Sequence, residues 1–280
     1  MKTITNQTFD QERALYGLDG ITLSNCKFDG PADGESALKE CKKVVAKGCY
    51  FNLRYPLWHD DNVKMDNCQL TELCRAALWY SKDIQIANCK LHGIKALREC
   101  QNIQLTNCDV NSVEFGWFCD NIAIANSTIA GEYFALKSSK LHMDNVQFRG
   151  KYSFQYITNS VVENCNLDTK DAFWHAKNVV VRNCIVKGEY LAWYAQNITF
   201  ENCTIIGTQP LCYCKGLKLI NCKMIDCDLA FERSEVQADI HSHVESIKNV
   251  TSGLVSVDSV GEVIVDEPFA QGTVIVRLQN

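Results

Sequence analysis

The sequence predicts an all-β fold: a single-stranded parallel β-helix, or solenoid, of about eleven coils of some nineteen residues each. Three observations carry this prediction: a recurring Asn-Cys phrase, a two-residue apolar alternation within each copy, and a copy length too short for an ordinary helix. The Asn of the phrase stands at Asn25, Asn67, Asn88, Asn107, Asn126, Asn145, Asn164, Asn183, Asn202 and Asn221, and from Asn88 the step is nineteen seven times running. Gly48-Cys49 fills the gap between Asn25 and Asn67. A fixed period of this size marks repeats that stack, each burying the apolar face its neighbour leaves open.

Each copy divides into three short strands and three bends. In the first strand and its continuation, Ile103, Leu105, Cys108 and Val110 are apolar or small, while Gln104, Thr106 and Asp109 are polar. That alternation belongs to strands with one face inward. It slips at Asn107, so a bend lies there. Gly93, Gly131, Gly150, Gly188 and Gly207 close the second strand. A third segment, such as EYLAWYAQ at 189–196, leads back to the next Asn.

Stacking turns sequence positions into vertical files. Nine of the sixteen cysteines share the file after the bend, where Ser127 and Val146 also stand. The file therefore takes a small, weakly hydrated side chain and does not require disulfides. The Asn file before it predicts an amide ladder from coil to coil. A second such ladder is predicted five residues earlier, at Asn62, Asp83, Asn102, Asn121, Asn159, Asn178 and Asn197. Apolar files such as Val63, Ile84 and Ile103, or Leu70, Leu91 and Val110, form the core. Each large side chain buried there contributes about 1.5–3 kcal/mol. The repeat fades after Phe231, so residues 1–235 read as the β-helix with its N-terminal cap and 236–280 as a C-terminal β capping segment.

Composition narrows the partners. The formal net charge is −5 and no Lys/Arg run stands out, so no nucleic acid is expected. No apolar run reaches the ~20 residues of a membrane span, and MKTITNQTFDQERALYG lacks the apolar core of a secretion signal. A cytoplasmic location with reduced thiols is the expectation.

Through coils such as NIAIANSTIAGEYFALKSS and the tail FERSEVQADIHSH, the chain resembles the right-handed parallel β-helices of the pectin-lyase-like class. It resembles more closely a bacterial family of uncharacterised single-domain β-helix proteins. The resemblance covers nearly the whole chain and implies the right-handed winding, but no activity. Characterised relatives of the fold include uronate lyases with acidic clusters, Ca²⁺ and a basic proton acceptor; no outward Asp cluster of that kind is visible here. The stretch Cys100–Val110 also fits the leucine-rich-repeat line C-x-x-I-x-L-x-x-C-x-V. Those repeats run about 20–29 residues with a helical segment opposite the strand, which the aromatic third segment does not match.

The third segment carries the candidate site. One file holds Trp58, Trp79, Trp117, Trp174 and Trp193; the next holds His59, Tyr80, His175 and Tyr194. Three positions before the Trp file stand Tyr55, Tyr133, Tyr152 and Tyr190, with Arg54 and Arg75 beside them. Such a strip suits an oligo- or polysaccharide, rings covering sugar faces and polar tips taking hydroxyls. The competing reading is a structural stack or protein interface, which leaves monomer and homodimer both open. The file of Glu132, Lys151, Lys170 and Glu189 reads as a solvated charge ladder.

Whether the protein is an enzyme is open at this point; if it is, the class is polysaccharide hydrolase, lyase or epimerase. Weak catalytic candidates are Glu114, Asp171, His175, Asp228 and Glu232. Glycoside hydrolysis needs two carboxyls about 5–9.5 Å apart, whereas Glu114 and Asp171 lie three coils apart, ~14 Å by strand spacing. Asp239, His241 and His243 point to one side of an extended strand and form a weak metal candidate. A polar face on a cap strand is the simpler reading, and no metal or other cofactor is expected. A zinc site at Cys212, Cys214, Cys222 and Cys227 is disfavoured because Cys222 and Cys214 belong to inward files.

Overall fold

The computed structural model describes residues 2–278. Every regular element among them is a strand. They wind as a parallel β-solenoid with turns of about nineteen residues, about fourteen turns among the described residues. Contacts group the chain into two compact units, unit 1 at Met1–Ser139 and unit 2 at Lys140–Asn280.

In unit 1 the first strand of each turn (Lys2–Thr5, Asp19–Ser24, Lys42–Lys47, Asp61–Asp66, Lys82–Ala87, Gln101–Thr106) pairs in parallel with the next. The register puts Val44 on Val63, Val63 on Ile84 and Ile84 on Ile103, joining the apolar files read from the repeat. Unit 2 repeats this with Thr158–Glu163, Lys177–Arg182, Gln196–Glu201 and Leu217–Ile225, where Val181 pairs with Phe200 and Phe200 with Leu219. Phenylalanines fill the interior: Phe28 stacks on Phe51 at 4.7 Å in unit 1 and Phe154 on Phe173 at 4.7 Å in unit 2.

The slip in the alternation has a backbone cause. Asn88, Asn107, Asn183 and Asn202 all sit near φ +52° to +55°, a left-handed conformation that Asn tolerates better than other non-glycine residues. Their amides then bond across coils: Asn107 Nδ2 donates to Asn88 Oδ1 at 3.3 Å, and Asn202 Nδ2 to Asn183 Oδ1 at 3.3 Å. At the other corner Asn121 donates to Asn102 at 2.9 Å and Asn197 to Asn178 at 3.1 Å.

All sixteen cysteines are buried free thiols. Their file does more than fill space. The Cys68 N–H donates to Cys89 Sγ at 3.2 Å, the Cys165 N–H to Cys184 Sγ at 3.3 Å, and the Cys108 N–H to Ser127 Oγ at 3.0 Å. Where the slot holds Cys or Ser, the side chain also accepts a backbone N–H after the bend, while Val146 fills it by size alone.

The turn count exceeds the eleven read from the repeat because coiling runs on at both ends. Lys2–Thr5 forms a turn before the first Asn-Cys phrase. After the last phrase, Glu235–Lys248, Ser252–Ile264 and Thr273–Val276 keep the parallel pairing. There the Asn-Cys punctuation is gone, and an irregularity between Ile240 and His243 stands in its place. The apolar alternation survives in Val236, Ala238 and Ile240, all buried.

Candidate functional site

Stacking at the strand spacing of ~4.8 Å forces like rings to lie face to face. In unit 2 Trp174 and Trp193 stack at 5.4 Å and 4°. Beside them Tyr156, His175, Tyr194 and Tyr213 form a second pile, with successive centroids 4.7, 5.0 and 4.8 Å apart. In unit 1 the Trp file interleaves rings with cations. Lys39 Nζ lies 4.5 Å from the Trp58 ring, Trp58 and Trp79 are 5.8 Å apart, and Arg98 lies 5.1 Å from both Trp79 and Trp117. His59 and Tyr80 stack outside them at 4.9 Å.

The tryptophans are half-buried, whereas Tyr80, Tyr156 and Tyr194 are exposed by 42–43%. Tyr55, Tyr133 and Tyr190 pack at angles to Trp58, Trp117 and Trp193, and Tyr152 lies under Lys151 Nζ at 5.5 Å. Each unit thus brings its share of the strip together. The neighbours cover most ring faces, however, and ring edges meet the solvent.

The indole N–H groups explain why Trp occupies this file. Trp117, Trp174 and Trp193 donate to the carbonyls of Tyr133, Tyr190 and Gln209 at 2.5, 2.6 and 2.8 Å. These acceptors sit at corners with φ +56°, +55° and +46°. Gln155 occupies the same file, and its Nε2 donates to the Asp171 carbonyl at 3.0 Å. The file therefore supplies a donor that caps a left-handed corner of the next coil. Gln155 was the visible signal of this role, and reading the file for ring faces alone missed it. Trp58 departs from the pattern: its Nε1 is buried with no partner.

Two of the four acidic candidates are held by cations. Glu114 lies 3.3 Å from Lys95 and 3.6 Å from Arg98. Glu232 pairs with Lys248 at 3.2 Å. Asp171 is only 7% exposed, and burial raises its carboxyl above the ordinary range. Asp228 is half-buried, its carbonyl accepting the Gln209 N–H at 2.9 Å. His175 is sandwiched between Tyr156 and Tyr194. Arg54 bonds Asp33 at 3.1 Å, and Arg75 is exposed.

Asp239 is engaged by Arg277 and lies 3.2 Å from His241, while His243 Nδ1 meets Ser259 at 2.9 Å. Among the described residues no three His, Cys, Asp or Glu side chains gather to hold a metal.

Two features escaped sequence reading. The first is a trough of about 450 Å³ on the outer face of the unit 1 strands, lined by Val45, Lys47, Lys64, Asp66, Gln85, Ala87, Gln104 and Thr106. A polar shelf of Asn62, Asp83 and Asn102 adjoins it. Outward polar residues of a strand look like any solvated face until curvature makes them a floor. The second is Asp60, 1% exposed, whose carboxyl burial pushes up to about 8.

No curated protein matches the chain. Among solved structures it is similar to PfbA, a surface adhesin of Streptococcus pneumoniae, at 9% identity over 80% of this chain and 69% of that one, TM-score 0.32. It is also similar to the A-module of mannuronan C-5 epimerase AlgE4 of Azotobacter vinelandii, at 10% identity over 97% and 90% of the two chains, TM-score 0.32. Neither likeness carries a functional argument. A family model described as a protein of unknown function, DUF3737, matches residues 2–276, and the chain belongs to that family.

Proposed function

We propose that the protein is a non-catalytic module that binds an extended oligo- or polysaccharide, and that the ligand lies in the unit 1 trough. The observation that carries this reading is the trough floor. Gln85 and Gln104 lie side by side on adjacent strands, with Lys64 before them and Asp66 and Thr106 alongside. Side-chain amides both donate and accept, as sugar hydroxyls do, and parallel coils repeat them along a line. Binding is favoured over processing because Glu114 and Glu232 are neutralised by cations and Asp171 is buried. Right-handed winding, a cytoplasmic location, the absence of nucleic-acid and membrane partners, and the division into 1–235 and 236–280 belong to the same proposal.

The test is a polysaccharide panel probed with the wild type, a Gln85→Ala, Gln104→Ala pair, and Trp174→Ala. The trough pair is expected to weaken binding at least tenfold while Trp174→Ala leaves it unchanged. Binding lost only in Trp174→Ala would move the ligand to the rings, and no binding by the wild type would remove the proposal.

A second reading, a scaffold that docks another protein or a second copy, is favoured by the exposed ring edges of Tyr156, His175 and Tyr194 in unit 2. Light scattering of the wild type and a Tyr156→Ala, Tyr194→Ala pair tests self-association. A monomer in both leaves only a different partner.

A further inference from the structure

The inward file that ends the third segment passes through Cys41, Asp60, Ser81, Cys100, Cys119 and Ser138, all buried. Its hydroxyls make paired bonds. Ser81 Oγ accepts the Asp60 N–H at 3.0 Å and donates to the Leu57 carbonyl at 2.7 Å. In unit 2, Ser234 Oγ accepts the Cys214 N–H at 2.9 Å and donates to the Leu211 carbonyl at 2.7 Å. In each case the carbonyl lies three residues before the N–H on the preceding coil. The hydroxyls in this file thus use both an acceptor atom and a proton to give, while Ile157, Ala176 and Ala195 fill it with apolar groups.

Asp60 meets only half of that pattern as a carboxylate. Oδ1 accepts the Cys41 N–H at 2.8 Å. Oδ2 is buried with no partner. The file's rule assigns its proton to the Leu38 carbonyl, three residues before Cys41. A carboxylic acid can make that bond and a carboxylate cannot.

The groups around it also oppose ionisation. Glu40 repels a charge on Asp60, and the Cys41 thiol, itself pushed up to about 11, already donates to the Leu15 carbonyl at 3.1 Å. Ser81 above is neutral. Lys82, which follows Ser81, pairs with Asp61 at 3.1 Å.

We propose that Asp60 is a carboxylic acid in the folded protein and serves as a pH-operated latch between the turns that open at Asp19 and Lys42, at the points where they pass into Lys42 and Asp61. Protonated, it ties both the Cys41 N–H and the Leu38 carbonyl to the next coil. Ionised, it loses the second tie and leaves a buried charge. The strands that directly follow the two latched residues, Lys42–Lys47 after Cys41 and Asp61–Asp66 after Asp60, supply Val45, Lys47, Lys64 and Asp66 to the trough. Alkaline pH therefore loosens the trough floor, whatever ligand the floor holds.

The sign follows from linkage. The folded carboxyl titrates near 8 and the unfolded one near its ordinary 3.8. Between those values the folded state holds a proton that the unfolded state has lost. The unfolding constant then rises about tenfold per pH unit across that window and levels off above it.

The experiment has two arms. Chemical denaturation from pH 5 to 9 compares the wild type with Asp60→Ser, which supplies both bonds without a titrating group. The wild-type unfolding constant is expected to climb about tenfold per pH unit relative to the serine variant. In parallel, the Asp60 carboxyl carbon of the folded wild type is followed by NMR and is expected to titrate near 8. Parallel pH profiles of the two proteins, or a carboxyl carbon that titrates near 3.8, would overturn the latch. Should the variant fail to fold, the carboxyl titration decides alone.

Discussion

The two units solve the same corner problem with different side chains. In unit 2 rings lie on rings, and Trp174, Trp193 and Gln155 each cap a carbonyl of the next coil. In unit 1 Trp117 caps the Tyr133 carbonyl in the same way, but cations flank the stacked Trp58–Trp79 pair, and the Trp58 indole N–H is left without a partner. A cation over a ring face satisfies the ring's negative quadrupole without deciding the cap, since Arg98 lies over Trp117 while the Trp117 indole still bonds the Tyr133 carbonyl. In these coils the third side carries backbone caps. Its chemistry differs between units because the capping task can be met or bypassed.

The largest effect that sharpens this contrast is truncation of the tryptophans. Trp174→Ala removes a stacked ring and a backbone cap together, and is expected to cost about 3–4 kcal/mol of stability. Trp58→Ala removes a ring whose N–H makes no bond, so its cost should be smaller by about 1 kcal/mol, the net worth of one hydrogen bond. Denaturant midpoints at constant m-value measure both. Equal losses would mean that the cap contributes nothing.

The next effect belongs to unit 1 alone. Arg98 sits between two indoles and 3.6 Å from Glu114. Arg98→Met keeps the length and removes the charge. The expected loss is about 1–2 kcal/mol, from two partly buried cation–π contacts and a partly buried ion pair to Glu114. Since cation–π contacts between partly buried groups are screened little by salt, most of that loss should persist in high salt. A loss that disappears with added salt would assign the role of Arg98 to its ion pairs instead.

Much of this architecture was legible in the chain because stacking copies each position many times. Asn107 announced its bend by breaking the alternation, and Ser127 in the Cys file announced a small polar slot. Files average over coils, and that averaging is also what hid the rest. The direction of a ring depends on its rotamer, so the file of five Trp did not reveal the indole caps or the ring-on-ring stacking. Asp60 is the single acid in a file of Ser, Cys and small apolar residues, invisible to a rule built on repetition. The trough needs curvature, which no spacing records. The turns after Phe231 escaped because they coil without the Asn and Cys that marked the others.

The smallest effect contrasts two acids. Asp60 in unit 1 is buried without a cation, whereas Glu163 in unit 2 lies 2.6 Å from His142 and 2.8 Å from Arg182. The His142 hydrogen bond, and then Arg182, hold the Glu163 carboxyl below its ordinary range. A carboxyl lowered by folding adds stability above its unfolded value, and that stability is lost as the pH falls through the folded value. The pH slope is opposite to the one expected of Asp60. Because the pair is largely solvated, Glu163→Gln should cost only about 0.5 kcal/mol near neutral pH, and the difference from wild type should close on acidification below the carboxylate range. Denaturation profiles of the two proteins, taken from neutral to acid pH, test this. A gap that stays constant with pH would make the Glu163 contribution one of packing, leaving Asp60 as the acid whose charge state the fold reads.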